Sequence, residues 1–296
     1  MKIIVIVGPT GSGKTDLSIS LAKMYNAQII NADSVQIYKG VNIGSAKIRK
    51  KDMQGIKHYL LSIKSLDEEY TVYDYQKDAR EILNQLIKDN INVIIVGGSG
   101  LYLNALLYDY KFEEENKKTD LFLEYSNKEL KDKVDEIYKD NNIHINNRKR
   151  LVRFLNSYIN NNKIIKNDEN IKPLYDFICI GLFPSRDILY QKLDERVDKM
   201  FEDGLLQEAR TLYNKGYKRL DSIIGYKELN KYFNDEITLE EAKLLIKKNT
   251  RHYSKRQMTW FKKYFPIKWI ETNYEDFNIT KNKVIEYIHK KNKTFK

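Results

Sequence analysis

The sequence predicts an α/β fold: a parallel sheet flanked by helices, interrupted by a small all-helical insertion domain. Three observations carry this. Short β-branched runs alternate with amphipathic helical stretches over residues 1–110. The first run is apolar from Ile3 to Val7, as a strand buried on both faces requires. Between residues 111 and 172 such runs nearly vanish, and Lys, Asn, Asp and Glu dominate.

The elements follow in order. A strand over 2–7 runs into a glycine-rich turn. A helix over 14–25 carries Leu17, Leu21 and Met24/Tyr25 on one face. Residues 28–30 read as a second strand. Thr71 reads as the N-cap of a helix reaching about Asp89, with Val72, Tyr75, Ala79, Ile82 and Leu86 on one side. Residues 91–96 form another buried strand, ended by Gly97-Gly98. Helices are expected over 121–139 and 148–158, and a turn at Asn160-Asn161-Asn162. Residues 176–183 return to a strand. Ser185 caps a helix ending near Gly204, and another helix reaches about Lys215. Thr238 caps a long helix stopped by Pro266, since proline cannot continue it. Residues 267–270 read as a last strand and 279–290 as a terminal helix. The expected division is 1–110 for the first part of the core and 111–172 for the insertion. Residues 173–296 continue the core and end in basic helices.

Composition narrows the function classes. With 42% hydrophobic residues, 296 residues can bury a substantial core. No apolar run reaches 18 residues, which speaks against a membrane span, and the 3–7 run is too short for a signal segment. The single cysteine, Cys179, excludes a disulfide framework and a cysteine-based zinc finger, and a cytoplasmic setting is expected. The net charge of +11 points to a polyanionic partner. A biased composition rich in Lys, Asn, Ile and Tyr would give the same excess without one.

Gly8-Pro9-Thr10-Gly11-Ser12-Gly13-Lys14-Thr15 fits G-x-x-x-x-G-K-[ST] at every position, between a strand and a helix. The sheet is therefore expected to be P-loop NTPase-like. Glycines let successive N–H groups curl around an anion, and the helix N-terminus adds positive charge. Lys14 would reach the outer phosphates and the Thr15 hydroxyl would ligate Mg²⁺. The loop implies a di- or triphosphate without choosing between them, so ATP is one candidate occupant. A phosphoryl-transferring P-loop protein ends a strand in the Asp that holds Mg²⁺. Here the 91–96 strand ends in Gly97-Gly98-Ser99. The acid placed near the loop is Asp33, after the second strand. Lys14, Asp33 and Ser99 thus share one rim, where ligands of open α/β sheets sit. Asp33 could equally cap its loop, and Ser99 could cap a turn or helix. A diphosphate that leaves, with an acid deprotonating an acceptor, fits this set.

Seven motifs carry a family resemblance. They are GPTGSGKT at 8–15, NADSVQIYKGVNIGSAK at 31–47, VGGSGLY at 96–102 and RKRLVR at 148–153. RVDKMFEDGLLQEAR at 196–210, GYKE at 225–228 and TRHYSKRQMTWF at 250–261 follow. In their order and spacing the chain resembles the tRNA dimethylallyltransferases (isopentenyl-tRNA transferases) in their short bacterial form. The resemblance implies transfer of a dimethylallyl group from its diphosphate to N6 of the adenosine just 3′ of the anticodon, at tRNA position 37. It implies Asp33 as general base, with Lys14, the loop amides and Mg²⁺ near Thr15 stabilising the departing diphosphate. Ser99 stands where the family usually has threonine. Arg196 matches an arginine that holds the diphosphate; without the resemblance it would read as a surface arginine. Asp33, Ser34, Val35 and Gln36 match a stretch near the target adenosine. Lys149, Arg150, Leu151, Val152 and Arg153 match a second tRNA-contacting stretch. The partners implied are a tRNA anticodon stem-loop and dimethylallyl diphosphate, with no membrane, and the chain is expected to be a monomer.

One further feature favours a nucleic acid. From Lys243 to Ile270 there are nine Lys/Arg and no Asp/Glu. At helical spacing Lys247, Lys248, Arg251, Lys255 and Lys262 fall within roughly a third of the circumference. Such a stripe suits a phosphate backbone, with Arg251 and Lys255 as expected tRNA contacts. The interleaved Tyr253, Trp260, Phe261, Tyr264 and Phe265 are expected mostly in the core. The rival readings are an adenylate dimethylallyltransferase acting on AMP, a nucleoside or nucleotide kinase, and a tRNA-binding module without catalysis.

Overall fold

The computed structural model describes residues 2–110, 112, 119–161, 172–264 and 266–294. The chain forms two compact units, Met1–Asp109 with Pro173–Lys296, and Tyr110–Lys172.

In chain order the larger unit contains β1 (Ile3–Val7), α1 (Lys14–Tyr25), β2 (Ala27–Asn31), β3 (His58–Tyr59), α2 (Val72–Lys88), β4 (Asn92–Val96) and α3 (Gly100–Leu107). The smaller unit contributes α4 (Asn127–Ile137) and α5 (Arg148–Asn161). The larger unit resumes with β5 (Ile178–Phe183), α6 (Arg186–Glu202), α7 (Leu205–Tyr213), α8 (Tyr226–Phe233), α9 (Leu239–Tyr264), β6 (Lys268–Glu271) and α10 (Phe277–Thr294).

The six strands form one parallel sheet in the order β3-β2-β4-β1-β5-β6. Every residue of β1 is buried, because it lies inside the sheet and is covered on both faces. Ile4 and Ile6 of β1 pack with Leu17 and Leu21 of α1 and Val284 and Ile288 of α10 in one apolar cluster. On α2, Tyr75 is fully buried, stacks on Tyr102 of α3 at 4.0 Å and donates its hydroxyl to Asn31 O. No helix of the described residues is long and apolar enough to cross a membrane.

Capping chemistry sets several boundaries. Thr71 and Asp74 form a reciprocal capping box that starts α2. Thr238 and Glu241 do the same for α9. Ser185 stands at the N-cap of α6, yet its hydroxyl makes no capping bond. The helix expected over 121–139 is broken. A 3₁₀ turn occupies Thr119–Phe122, and α4 begins only after Ser126, which forms a capping box with Glu129. Asn160 and Asn161 belong to α5 rather than to a turn, and Asn162 lies outside the described residues. The short strand β3 and helices α3 and α8 carry too little periodic signal to be read from sequence.

The smaller unit has its own core of Phe122, Leu130, Val134, Ile143, Leu151 and Leu155. Arg148 closes it: its guanidinium donates to the carbonyls of Phe122, Leu123 and Tyr125. Leu151 is therefore corrected from tRNA contact to core residue, at 0% exposure, and Val152 packs against the same cluster. Lys149, Arg150 and Arg153 are the exposed members of that stretch. Leu151→Ala should destabilise the protein by about 2–5 kcal/mol through lost burial and a cavity. Lys149→Ala should change stability by less than about 0.5 kcal/mol. Urea unfolding followed by circular dichroism checks both.

Candidate active site

The sheet order places β2, β4 and β1 side by side, and their parallel sense puts the following loops on one rim. Residues 32–36 are stitched to the turn after β4. Ala32 N donates to Val96 O at 2.8 Å, and Ser99 N donates to Ala32 O at 3.1 Å. A Cβ on Gly97 would sit 2.1 Å from Ala32 O, so only glycine permits this approach. Ser99 stands at the N-cap of α3, but its hydroxyl makes no capping bond. Its Oγ accepts from Ser34 N at 3.0 Å and donates to Ser34 Oγ at 3.1 Å. The serine hydroxyl thus fixes the loop that carries Asp33.

Asp33 does cap its own loop. Its Oδ1 accepts from the N–H groups of Val35 (2.9 Å) and Gln36 (3.3 Å). Among the described residues, Oδ2 makes no hydrogen bond. The carboxylate is therefore oriented by one oxygen and open at the other. Residues 33–36 are all half-buried, and Gln36 Nε2 donates to Ser45 O at 3.1 Å.

The loop after β1 holds two cations. Lys14 Nζ donates to Pro9 O at 2.7 Å. Burial, followed by the neighbouring Arg196 charge, lowers its pKa to about 7, while Asp33 acts in the opposite direction. Arg196 projects from α6 and donates to Thr10 Oγ1 at 3.1 Å. It is half-buried rather than a surface arginine; desolvation lowers its pKa and Asp33 raises it. Gly8 has φ 144°, and a Cβ there would lie 2.6 Å from Leu182 O. The fully buried Ser12 hydroxyl has no hydrogen-bond partner among the described residues.

Mg²⁺ prefers oxygen ligands and keeps several waters. Thr15 offers its hydroxyl from the exposed first turn of α1. The described residues contain no group of three or more His, Cys, Asp or Glu able to hold a metal ion. An ion here would have to be held chiefly through phosphate oxygens, and Thr15 would be its protein ligand.

Sequence reasoning assigned no place in the site to three residues that build it. Gln257 of α9 is buried and joins the two loops: its Oε1 accepts from Thr10 N at 2.8 Å, and its Nε2 donates to Gly98 O at 3.0 Å. Trp260 covers Gly100, where any Cβ would strike its ring. Both belong to the KRQMTW motif, which was the available signal. Glu208 of α7 accepts from the N–H groups of Asn42, Ile43 and Gly44 and from the Tyr226 hydroxyl. It thereby shapes the loop that follows the Asp33 stretch.

The basic stripe on α9 divides. Lys247 donates to Asp198 at 2.7 Å, and Arg251 pairs with Asp194, its Nη1 lying 2.6 Å from Oδ1. Both acids stand on α6. Arg251, expected to contact tRNA, forms an ion pair between α9 and α6. Lys248, Lys255 and Lys262 are exposed at a spacing of seven. Of the aromatics, Phe261 is fully buried and Tyr253 and Trp260 are half-buried; the side chains of Tyr264 and Phe265 lie outside the described set.

Comparison with known proteins places this geometry. The IPP transferase family model matches residues 36–264. A tRNA dimethylallyltransferase of Clostridioides difficile (strain 630) is 40% identical over 304 residues, covering 97% of each chain. One from Staphylococcus carnosus is 40% identical, covering 91% of this chain and 90% of its own. A tRNA isopentenylpyrophosphate transferase structure from Bacillus halodurans superposes with a TM-score of 0.77 at 34% identity, over 98% of this chain and 96% of that one. A eukaryotic dimethylallyltransferase acting on tRNA superposes at 0.75 with 27% identity, over 92% and 74%. With a matching model over most of its length and relatives at such identity along nearly all of it, the chain belongs to the IPP transferase family.

Proposed function

We propose that this chain is a cytoplasmic tRNA-modifying prenyltransferase. It moves a dimethylallyl group from dimethylallyl diphosphate to N6 of the adenosine at tRNA position 37 and releases diphosphate. The observation that carries this reading is one rim on which a half-open carboxylate, Asp33, shares its surroundings with a loop holding two half-buried cations, Lys14 and Arg196.

The chemistry follows from that arrangement. The lone pair of an exocyclic adenine amine is delocalised into the ring, so the amine is a weak nucleophile until its proton is removed. As N6 bonds to C1 of the allyl group, the proton passes to Asp33 Oδ2, the oxygen left open by the loop. The C1–O bond breaks and its electron pair stays on the diphosphate. Lys14, Arg196 and the loop N–H groups stabilise that charge. Mg²⁺, when bound beside Thr15, supplies further charge neutralisation on the phosphate oxygens. Ser99 holds Ser34 and so keeps Asp33 in register.

A kinase would require an acid after β4, where this chain has Gly97-Gly98-Ser99. The loop would also accept ATP phosphates, so competition of ATP against the donor reports a shared site. An adenylate-modifying activity is separated by offering tRNA and AMP together with dimethylallyl diphosphate. Mass spectrometry should find the added group on tRNA alone; label on AMP alone would overturn the proposal.

Exposed Lys149, Arg150 and Arg153 on α5, and Lys248, Lys255 and Lys262 on α9, are the residues proposed to meet tRNA phosphates.

Three outcomes are expected. Asp33→Asn should retain tRNA affinity and slow single-turnover alkylation by about two to four decades. The pH response is set by Lys14, which loses its proton as pH rises through about 7. Donor kcat/KM should therefore fall above that pH by up to about tenfold per unit, and Lys14→Met should abolish this limb. Replacing Lys248, Lys255 and Lys262 by Gln should lower the slope of log Kd for tRNA against log salt by about one unit per lost phosphate contact. Arg251→Gln, whose charge is matched by Asp194, should leave that slope unchanged in the same titration.

A further inference from the structure

The segment after β6 reaches the phosphate loop from outside and grips three consecutive residues. Tyr274 donates its hydroxyl to Gly11 O at 2.8 Å. Thr272 donates its hydroxyl to Ser12 O at 3.3 Å. The ring of Phe277 lies where a Cβ on Gly13 would fall, 2.6 Å away. Nothing in the loop's own G-x-x-x-x-G-K-[ST] pattern calls for these contacts.

The segment is itself rigidly built. Thr272 is buried and continues the pairing of β6 with β5, its N–H donating to Phe183 O at 3.1 Å. Asn273 N donates to the buried Thr280 Oγ1 at 2.8 Å. Asn273 Oδ1 in turn accepts from the N–H groups of Glu275 and Asp276, both at 2.9 Å. The two hydroxyls are thus presented from a fixed frame rather than from a loose tail.

Peptide geometry gives these bonds a consequence. In a trans peptide the C=O and the following N–H point in opposite directions. Holding Ser12 O outward on Thr272 turns the Gly13 N–H inward. Holding Gly11 O on Tyr274 fixes the preceding peptide, whose Ser12 N–H donates to Pro9 O at 3.3 Å and so closes the turn that carries the free N–H groups. Among the described residues the N–H groups of Gly11 and Gly13 make no hydrogen bond, so they remain as donors for an anion. Tyr274 also lies close enough to Arg196 for the guanidinium to lower the phenol's pKa against the larger upward effect of burial.

We infer that Tyr274 and Thr272 are positioning residues: their hydroxyls pre-organise the loop N–H groups that receive the diphosphate. Neither touches the reacting atoms. The inference rests on diphosphate occupying this loop, as proposed above. A site whose donors are already aimed loses less freedom on binding, so removing one anchor should weaken the anion more than it weakens the fold.

The test is calorimetric titration of the full chain with inorganic diphosphate, alongside steady-state kinetics with dimethylallyl diphosphate and tRNA. Tyr274→Phe keeps the ring and removes one hydrogen bond; it should raise the diphosphate Kd and the donor KM by about 3- to 10-fold. Thr272→Val should act similarly, and Thr272→Ser, which restores the hydroxyl, should restore affinity. The Kd for tRNA should stay within twofold of wild type in all three, which a general loss of structure would not allow. Wild-type binding of diphosphate with unchanged affinity in both Tyr274→Phe and Thr272→Val would overturn this inference alone. Weakened tRNA binding in parallel with diphosphate would overturn it too, in favour of a structural role. Absence of diphosphate binding by the wild type would overturn the loop assignment and this inference with it.

Discussion

The structure is organised around a charge that it places unfavourably. Lys14 is half-buried beside Arg196, and desolvation takes its pKa from the ordinary 10.5 to about 7. An unfolded chain binds that proton more tightly, so below about pH 7 the folded state carries the full unfavourable contribution. The contribution is relieved as pH rises from about 7 to about 10.5. A shift of this size corresponds to a few kcal/mol (order of magnitude). Asp33 offsets part of it, since its charge raises the pKa of both cations. A polyanion in the loop would offset the rest. The same arrangement would favour a highly charged anion in the loop.

The loop backbone is held by Lys14 itself, on Pro9 O, and otherwise by neutral side chains. Gln257 grips Thr10 N with one end of its amide and Gly98 O with the other. Glu208, the charged exception, acts farther along the chain on the N–H groups of residues 42–44. Glycines at 8 and 97 admit backbone where no Cβ fits. The carboxylate is treated in the same way: two N–H groups fix Oδ1 of Asp33, and Ser99 fixes the neighbouring Ser34. Asp33 is thus aligned through main-chain bonds and not through an ion pair.

Much of this was legible in the sequence where the signal is local. The phosphate loop, the capping boxes at Thr71 and Thr238 and the buried β1 are written in adjacent residues. The rim shared by Lys14, Asp33 and Ser99 followed from parallel strands alone. What failed depends on partners distant in sequence. Helix α3 begins with Gly100, a poor helix former, and is stabilised by packing under Trp260. Arg251 had the periodicity of a binding stripe, but periodicity does not reveal Asp194 on the facing helix. Leu151 sat inside a basic run, and its neighbours' charge concealed its place in the core. The motif holding Gln257 was visible, yet its role requires two loops separated from it by about 160 and 250 residues of chain.

Helix α9 shows how one element can serve two tasks without conflict. Gln257 and Trp260 face the loops of the rim. Lys248, Lys255 and Lys262, seven residues apart, recur on one exposed line. Residues 255 and 257 differ by about 200° around the helix, so the two sets occupy opposite sides. A helix with its side chains is about 10–12 Å across. Charge on the outer line therefore acts on the rim over roughly a Debye length, where it is largely screened at physiological salt. The inner face is constrained by hydrogen-bond geometry and glycine contacts. The outer face is constrained only to be positive. The two can change independently: charge can be altered on the outside while the loops that carry Asp33 and Lys14 stay fixed.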